Sequence, residues 1–257
     1  SANERAMSGH SKWSTIKRKK AANDAKRGNM FTRLAREIAM AAREGGGDID
    51  GNFGLRLAVD KARAANMPKE NIERAIKRGT GDDKDSAAFE QVTYEGYAPH
   101  GVAMMIEVIT DNRNRIVAEI RHLLSRAGGS MSEAGSVAWQ FKRGAYFALP
   151  SAGVDSDKIF ELAVEAGADD VSIGEDAIEI TAPVEAFKAV SDRLGKAGFK
   201  PAEAELRMNP STTVELPADQ ALQVMRIVES LEELDDVQRV YSTLQVTDEA
   251  VALLETA

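Results

Sequence analysis

Residues Phe89–Gly129 read "FEQVTYEGYAPHGVAMMIEVITDNRNRIVAEIRHLLSRAGG", and the spacing of their apolar residues changes once along the way. "FEQVTYEGY" and "GVAMMIEVIT" are β-rich runs separated by "APH", the pattern of a hairpin. In the remainder, Ile116, Ile120, Leu123 and Ala127 recur at helical spacing, so one face of a helix is apolar. Two strands followed by a helix give an antiparallel sheet covered on one face. That unit sets the expected fold class, α+β.

The unit recurs in shape further on, without a sequence repeat. "SVAWQF" and "AYFAL" predict a second hairpin with Gly144 in its "KRG" turn. "DSDKIFELAVEAG" predicts a helix opened by an Asp or Ser cap. "VSI" and "IEI" flank a turn in a third hairpin, and "PVEAFKAVSDRLGKAG" starts a helix at Pro183. "AEAELRM" and "TTVEL" read as strands. "PADQALQVMRIVESLEEL" is a helix with Ala221, Val224, Met225, Val228 and Leu231 inward, and "VQRVYSTL" is the last strand.

Upstream of residue 82 the pattern is helical. Phe31, Leu34, Ala35, Ile38 and Ala42 share one face, and Leu55, Ala58, Val59, Ala62 and Ala65 share another. The glycines of "EGGGD" separate these two helices; Pro68 then opens a third, which Gly79 and Gly81 close. The expected architecture is an N-terminal three-helix bundle followed by two α+β domains with antiparallel sheets. The third domain is inserted into the second. The boundaries are 7–82 for the basic helical domain, 83–134 plus 203–257 for the discontinuous domain, and 135–202 for the insert. The opening "SANERA", ahead of Met7, reads as an appended stretch outside the fold.

Charge divides along the same line. The chain has a net charge of −8, yet residues 7–80 hold 17 Lys/Arg against 8 Asp/Glu, and residues 81–257 hold 15 against 32. The most basic stretch, "GHSKWSTIKRKKAANDAKRG" (Gly9–Gly28), contains Lys12, Lys17, Arg18, Lys19, Lys20, Lys26 and Arg27 against the single acid Asp24. Four consecutive cations point nearly all round a helix, so packing gains little and self-repulsion is relieved by solvent or by a polyanion. Phosphates would supply that partner, with affinity from counterion release. Trp13 among these cations either stacks on an unpaired base or anchors the arm to the bundle. Arg33, Arg36 and Arg43 extend the candidate surface. Lys77 and Arg78 either join it or serve the negative end of their own helix.

The string "TDNRNR" (Thr110–Arg115) is the second unusual one. Capping explains Thr110, Asp111 and Asn112, but Arg113 and Arg115 stand in a first turn, where the helix dipole disfavours cations. They suit either an anion at a strand-to-helix junction or a structural Asp–Arg network. The acidic "ESLEELDD" (Glu229–Asp236) reads as a solvated helix end or a protein contact, and "AGGSMSEAGS" as a flexible joint.

Other chemistries find no pattern. There is no Cys, which excludes disulfides and thiolate metal sites, and the three His lack metal-ligand spacing. No nucleophile elbow or P-loop occurs, so no enzyme, cofactor, metal or small-molecule substrate is expected. No apolar run approaches the roughly 20 residues of a membrane span, and no signal pattern opens the chain, so a cytoplasmic location is expected.

Several strings together are specific. "GHSKW", "IKRKKAANDAKRG", "FTRLAREI", "AAREGGGD", "LRLAVDKARAANMPKENIERAIKRGTG", "YEGYAPHGVAMMIEVITDNRNR" and "VAEIRH" occur in the order found in the YebC/PmpR family, which this sequence resembles. Many members carry a His among the cations where this chain reads "IKRKKA". The resemblance implies the same three-part fold and no catalytic residues. It also implies a nucleic-acid-binding regulator of gene expression, described for bacterial members as a DNA-binding transcriptional regulator. Related members, including a mitochondrial translational activator, resemble ribosome-associated factors that assist synthesis of proline runs. Duplex DNA and ribosomal RNA are thus both expected partners.

Overall fold

The computed structural model describes residues 12–17, 24–82 and 87–256. Helices α1 (Asp24–Gly45), α2 (Phe53–Ala64) and α3 (Lys69–Thr80) form the N-terminal bundle, preceded by a helical turn at residues 12–17. Leu34, Ile38 and Ala42 of α1 meet Leu55, Val59 and Ala62 of α2 and Ile72 and Ala75 of α3 in one core. The faces are those read from the spacing. Asn52 joins two ends: its side-chain oxygen accepts from Leu55 N, while its amide donates to the carbonyls of Ala41 and Gly46. One buried side chain thus caps α2 and closes the end of α1, satisfying groups that helix ends leave orphaned.

The first sheet has the order β3-β1-β2-β8, with β1 at Glu90–Tyr97, β2 at Ala103–Thr110, β3 at Ser130–Ser132 and β8 at Val237–Ser242. All its pairings are antiparallel, and β1 and β2 form the expected hairpin, with Glu90 opposite Thr110. Helices α4 (Arg113–Arg126), α7 (Ala218–Glu232) and α8 (Asp248–Thr256) bring Ile116, Ile120, Leu124, Val224, Val228 and Val251 onto one face of it. The second sheet, order β5-β6-β4-β7, is built from β4 (Phe141–Pro150), β5 (Asp170–Ile173), β6 (Ala177–Ala182) and β7 (Glu203–Pro210). Helices α5 (Ser156–Glu165) and α6 (Phe187–Lys196) cover it around Phe147, Ile180, Phe187 and Leu194.

The second sheet lies wholly between β3 and β8 in the chain, so it interrupts the first. The boundary expected at residues 202/203 is corrected by pairing: β7 runs against β4 from Glu203 opposite Ala148 to Pro210 opposite Phe141, which gives the whole strand to the insert. The hairpin expected around "KRG" is also corrected. β4 runs straight through Gly144, and residues 138–140 before it form a 3-10 turn. A Cβ on Gly144 would lie 2.9 Å from the carbonyl oxygen of Ala182, so this glycine serves close strand approach, not a turn. "TTVEL" contributes only one bridge, Val214 with Leu244.

Candidate nucleic-acid interface

The basic bundle meets the acidic remainder along a seam built from α1 and the segment after α7. Arg33 donates to the Glu232 carbonyl at 2.7 Å, and the Lys17 ammonium stands 3.3 Å from the Glu232 carboxylate. One turn along α1, Arg36 donates to the carbonyls of Ile109 and Asp235 and to Asp236 Oδ1 at 2.5 Å. The other Asp236 oxygen accepts from Thr110 and from Arg115, each at 2.5 Å. Asp236 is buried, which by itself would push its carboxyl up. The hydrogen bonds from Thr110, Arg36 and Arg115 outweigh this and hold it below the ordinary carboxylate range.

Beside this network Phe89 is walled by cations. The Arg78 guanidinium lies 3.7 Å and that of Arg36 5.2 Å from its ring centre, and Arg43 donates to its carbonyl at 2.5 Å. Arg78 also donates to the Ala87 carbonyl and reaches to 3.9 Å of Asp111. Arg113 sits apart and more exposed, 2.5 Å from Glu90. The "TDNRNR" string therefore does two jobs: Asn112 caps α4 through Arg115 N, and Arg115 joins Arg36 on Asp236.

The arm is also fastened. Lys12 bridges Asp176 of the insert, at 3.0 Å, and Asp248 at the start of α8, at 3.3 Å; the hydrogen bond it donates to Asp176 is the largest cause raising its pKa. Trp13 is buried in the core of the first sheet, in the same cluster as Val224 and Val251, with the Lys17 ammonium 4.1 Å from its ring centre. The anchor thus seats in the α+β body instead of the helical bundle. Arg18, Lys19 and Lys20 lie outside the described residues. Lys26 and Arg27 fall on the first turn of α1, and their side chains are also outside the description.

Helices α2 and α3 present a different surface, although α2 also leans on the insert, where the Phe53 ring lies 6.4 Å from that of Phe187 and Leu57 packs on the second core. Arg56, Lys61, Arg63, Lys69, Arg74 and Lys77 are exposed on α2 and α3, where the acids are Asp60, Glu70 and Glu73. Lys61 is held by Glu37, and Lys77 projects from the last turn of α3 beside Arg74, three residues earlier. Sequence reading did not single out Arg74, and it took Glu232 and Asp236 only as part of a solvated helix end or a protein contact. It also passed over Glu95, which is buried under the loop after β3 and accepts from the backbone N–H groups of Gly135, Val137 and Ala138. The loop read as a flexible joint is pinned by that carboxylate. An isolated acid within a strand gave no local signal for this. Among the described residues no His, Cys, Asp or Glu cluster suits a metal ion, and no helix is long and apolar enough to cross a membrane.

The fold and seam define a class: a basic helical domain carried on two antiparallel α+β units, one inserted in the other. A family model for the TACO1/YebC protein N-terminal domain matches residues 11–82, and one for the TACO1/YebC second and third domain matches residues 89–244. The chain belongs to the TACO1/YebC family. A relative from Geotalea uraniireducens is 51% identical over 95% of this chain and 98% of its own. Another from Acidithiobacillus ferrooxidans is 54% identical over 97% and 99%. Both are described as a "probable transcriptional regulatory protein". The crystal structure of a conserved hypothetical protein from Aquifex aeolicus, 41% identical, covers 88% of this chain and 93% of its own with a TM-score of 0.80.

Proposed function

We propose that this protein is a nucleic-acid-binding regulator of gene expression, a transcriptional regulator that meets duplex DNA through its N-terminal helical domain. The observation that carries the reading is the division of charge. The body takes Lys12, Lys17 and Arg36 on its acids and Arg33 on the Glu232 carbonyl, while α2 and α3 keep six Lys/Arg exposed against three Asp/Glu. A helical domain held by one charged side leaves the other for phosphates, and a net-negative body keeps the rest of the molecule off the polyanion. The connection between α2 and α3 supports the duplex reading. Two 12-residue helices are joined by a four-residue turn with Asn66 at φ 61°, the connectivity of a helix–turn–helix. The description of the relatives as transcriptional regulators points the same way.

The test is the salt dependence of binding to a labelled 20-base-pair duplex, read by fluorescence anisotropy. If about six cations meet phosphate, log affinity falls against log salt with a slope of roughly −5. A salt-insensitive complex, or none at low salt, overturns the reading. A second reading, a ribosome-associated translation factor that contacts ribosomal RNA, is favoured by the exposed Trp139 considered next. Sedimentation of lysate through sucrose separates the two: travel with ribosomes, abolished by Lys19→Ala/Lys20→Ala, selects translation.

A further inference from the structure

Trp139 is 74% exposed, the most exposed large apolar side chain among the described residues, whereas Trp13 is 3% exposed. A single exposed aromatic is ordinary on a protein surface and by itself assigns nothing. What sets Trp139 apart is how firmly it is held. Its two flanks are buried: Val137 and Phe141 pack with Ala103, Met105 and Tyr241 between the sheets. The loop beneath it is clamped by the Glu95 carboxylate, which accepts from Gly135, Val137 and Ala138 at 2.5, 2.8 and 2.7 Å. The indole N–H donates to the Ser136 carbonyl at 2.9 Å. With that donor occupied inside the loop, what the side chain offers a partner is its aromatic face.

Two cations follow at once. Lys142 and Arg143 begin β4, both exposed, and Glu133 is the one exposed acid between residues 130 and 144. Lys142 follows Trp139 by three residues, a span of at most about 10 Å, so its ammonium can reach the phosphate beside a base seated on the indole, whereas Arg143 points to the other face of β4. An aromatic face with a flanking cation is the recognition chemistry of an unpaired strand, because every base has a π-face and every linkage a negative charge. A duplex hides its base faces in its own stack and cannot use the indole in this way.

We propose that Trp139, with Lys142, is a binding site for single-stranded nucleic acid, one base stacking on the indole while an adjoining phosphate meets the ammonium. The site rests on the nucleic-acid reading above and adds to it a preference for unpaired nucleotides, on the inserted domain and not on the basic bundle.

The test uses the full chain carrying Trp13→Phe, which leaves Trp139 as its one tryptophan. Titration with a twelve-nucleotide oligo(U) or oligo(dT) is expected to quench the fluorescence saturably, and a twelve-base-pair RNA duplex is expected to quench it little. In the otherwise unchanged protein, Trp139→Ala should weaken oligo(U) binding about five-fold or more, and Trp139→Phe should restore most of it. Lys142→Ala should lower affinity and reduce the salt slope by roughly 0.7. Because the Trp139 side chain donates its hydrogen bond only within its own loop, the melting temperature should not move. Oligonucleotide binding that is unchanged by Trp139→Ala, without quenching, overturns this site and leaves the regulator reading standing. Loss of a protein partner in Trp139→Ala at unchanged oligonucleotide affinity also overturns it. Failure of the unaltered protein to bind any nucleic acid overturns both.

Discussion

Arg36 and Asp236, 200 residues apart in the chain, meet at 2.5 Å with both side chains largely buried. The contact joins the basic bundle to the acidic body, and its surroundings determine what it contributes. A buried pair gains little over an apolar replacement, but one partner left alone is costly. Asp236 has three donors, so its loss takes a partner from Thr110, Arg36 and Arg115 together.

Asp236→Ala is therefore expected to cost on the order of 3–5 kcal/mol in denaturant unfolding, and Arg36→Ala somewhat less, with the pair non-additive in a double-mutant cycle. The pH dependence follows from the lowered Asp236 carboxyl. A depressed folded-state value means the contribution is present above the unfolded value of about 3.9 and is lost as pH falls through the folded one. Circular dichroism of the unaltered protein should show stability falling below about pH 4, and that fall should be shallower in Asp236→Asn. An identical acid limb in the two proteins would remove Asp236 from the account.

Glu95 gives a second prediction. Burial alone would raise its carboxyl, yet three backbone N–H groups hold it below the usual range. Glu95→Ala leaves three donors without their partner, of which that of Val137 is buried, at a cost of about 1–3 kcal/mol. The loss should be local as well as global. Amide exchange at Gly135, Val137 and Ala138 should quicken more than at the β1–β2 pairing, and Trp139 should become more mobile by fluorescence anisotropy. Unchanged protection at the three amides would mean that the carboxylate does not order the loop.

Gly79 gives a third. It lies inside α3, where glycine weakens a helix by about 1 kcal/mol relative to alanine. Packing reverses that preference. A Cβ there would stand 2.2 Å from the Ala39 carbonyl oxygen and 2.8 Å from the Ala42 Cβ. Gly79→Ala must push α3 off α1, and a loss of about 1–3 kcal/mol in thermal or denaturant unfolding is expected. Stabilisation by the same substitution would show that the helices are not so close.

Arg74 and Lys77 test the outward face of the bundle. Both are exposed, and among the described residues neither side chain joins the seam's hydrogen bonds or ion pairs, so Arg74→Ala/Lys77→Ala should leave the melting temperature within a degree or two. Duplex affinity should fall uniformly across sequences, and the salt slope should flatten by roughly 1.8. Full retention of duplex binding would move the interface away from α3.

The helix faces and their caps were legible because they are local: Leu34, Ile38 and Ala42 repeat at helical spacing, and Asn112 and Asp155 stand one residue before the helices they cap. The β1–β2 hairpin was legible for the same reason. Gly79 and Gly144 were misread as punctuation, since a sequence shows that a side chain is missing but not which backbone occupies its place. The site divided similarly. Its charge was plain, but the choice between phosphate and carboxylate for each cation was not.

The sequence by itself determined the element types, the α+β class and the separation of a basic quarter from an acidic remainder, because period and net charge are sums over neighbours. Tertiary structure alone decided that β7 belongs to the insert, that Trp13 is a plug in the body, and that Glu232 and Asp236 receive Lys17, Arg33 and Arg36. Those are pairings between residues far apart in the chain. Their free energy comes from burial and geometry at one point in space, on which no local spacing carries information.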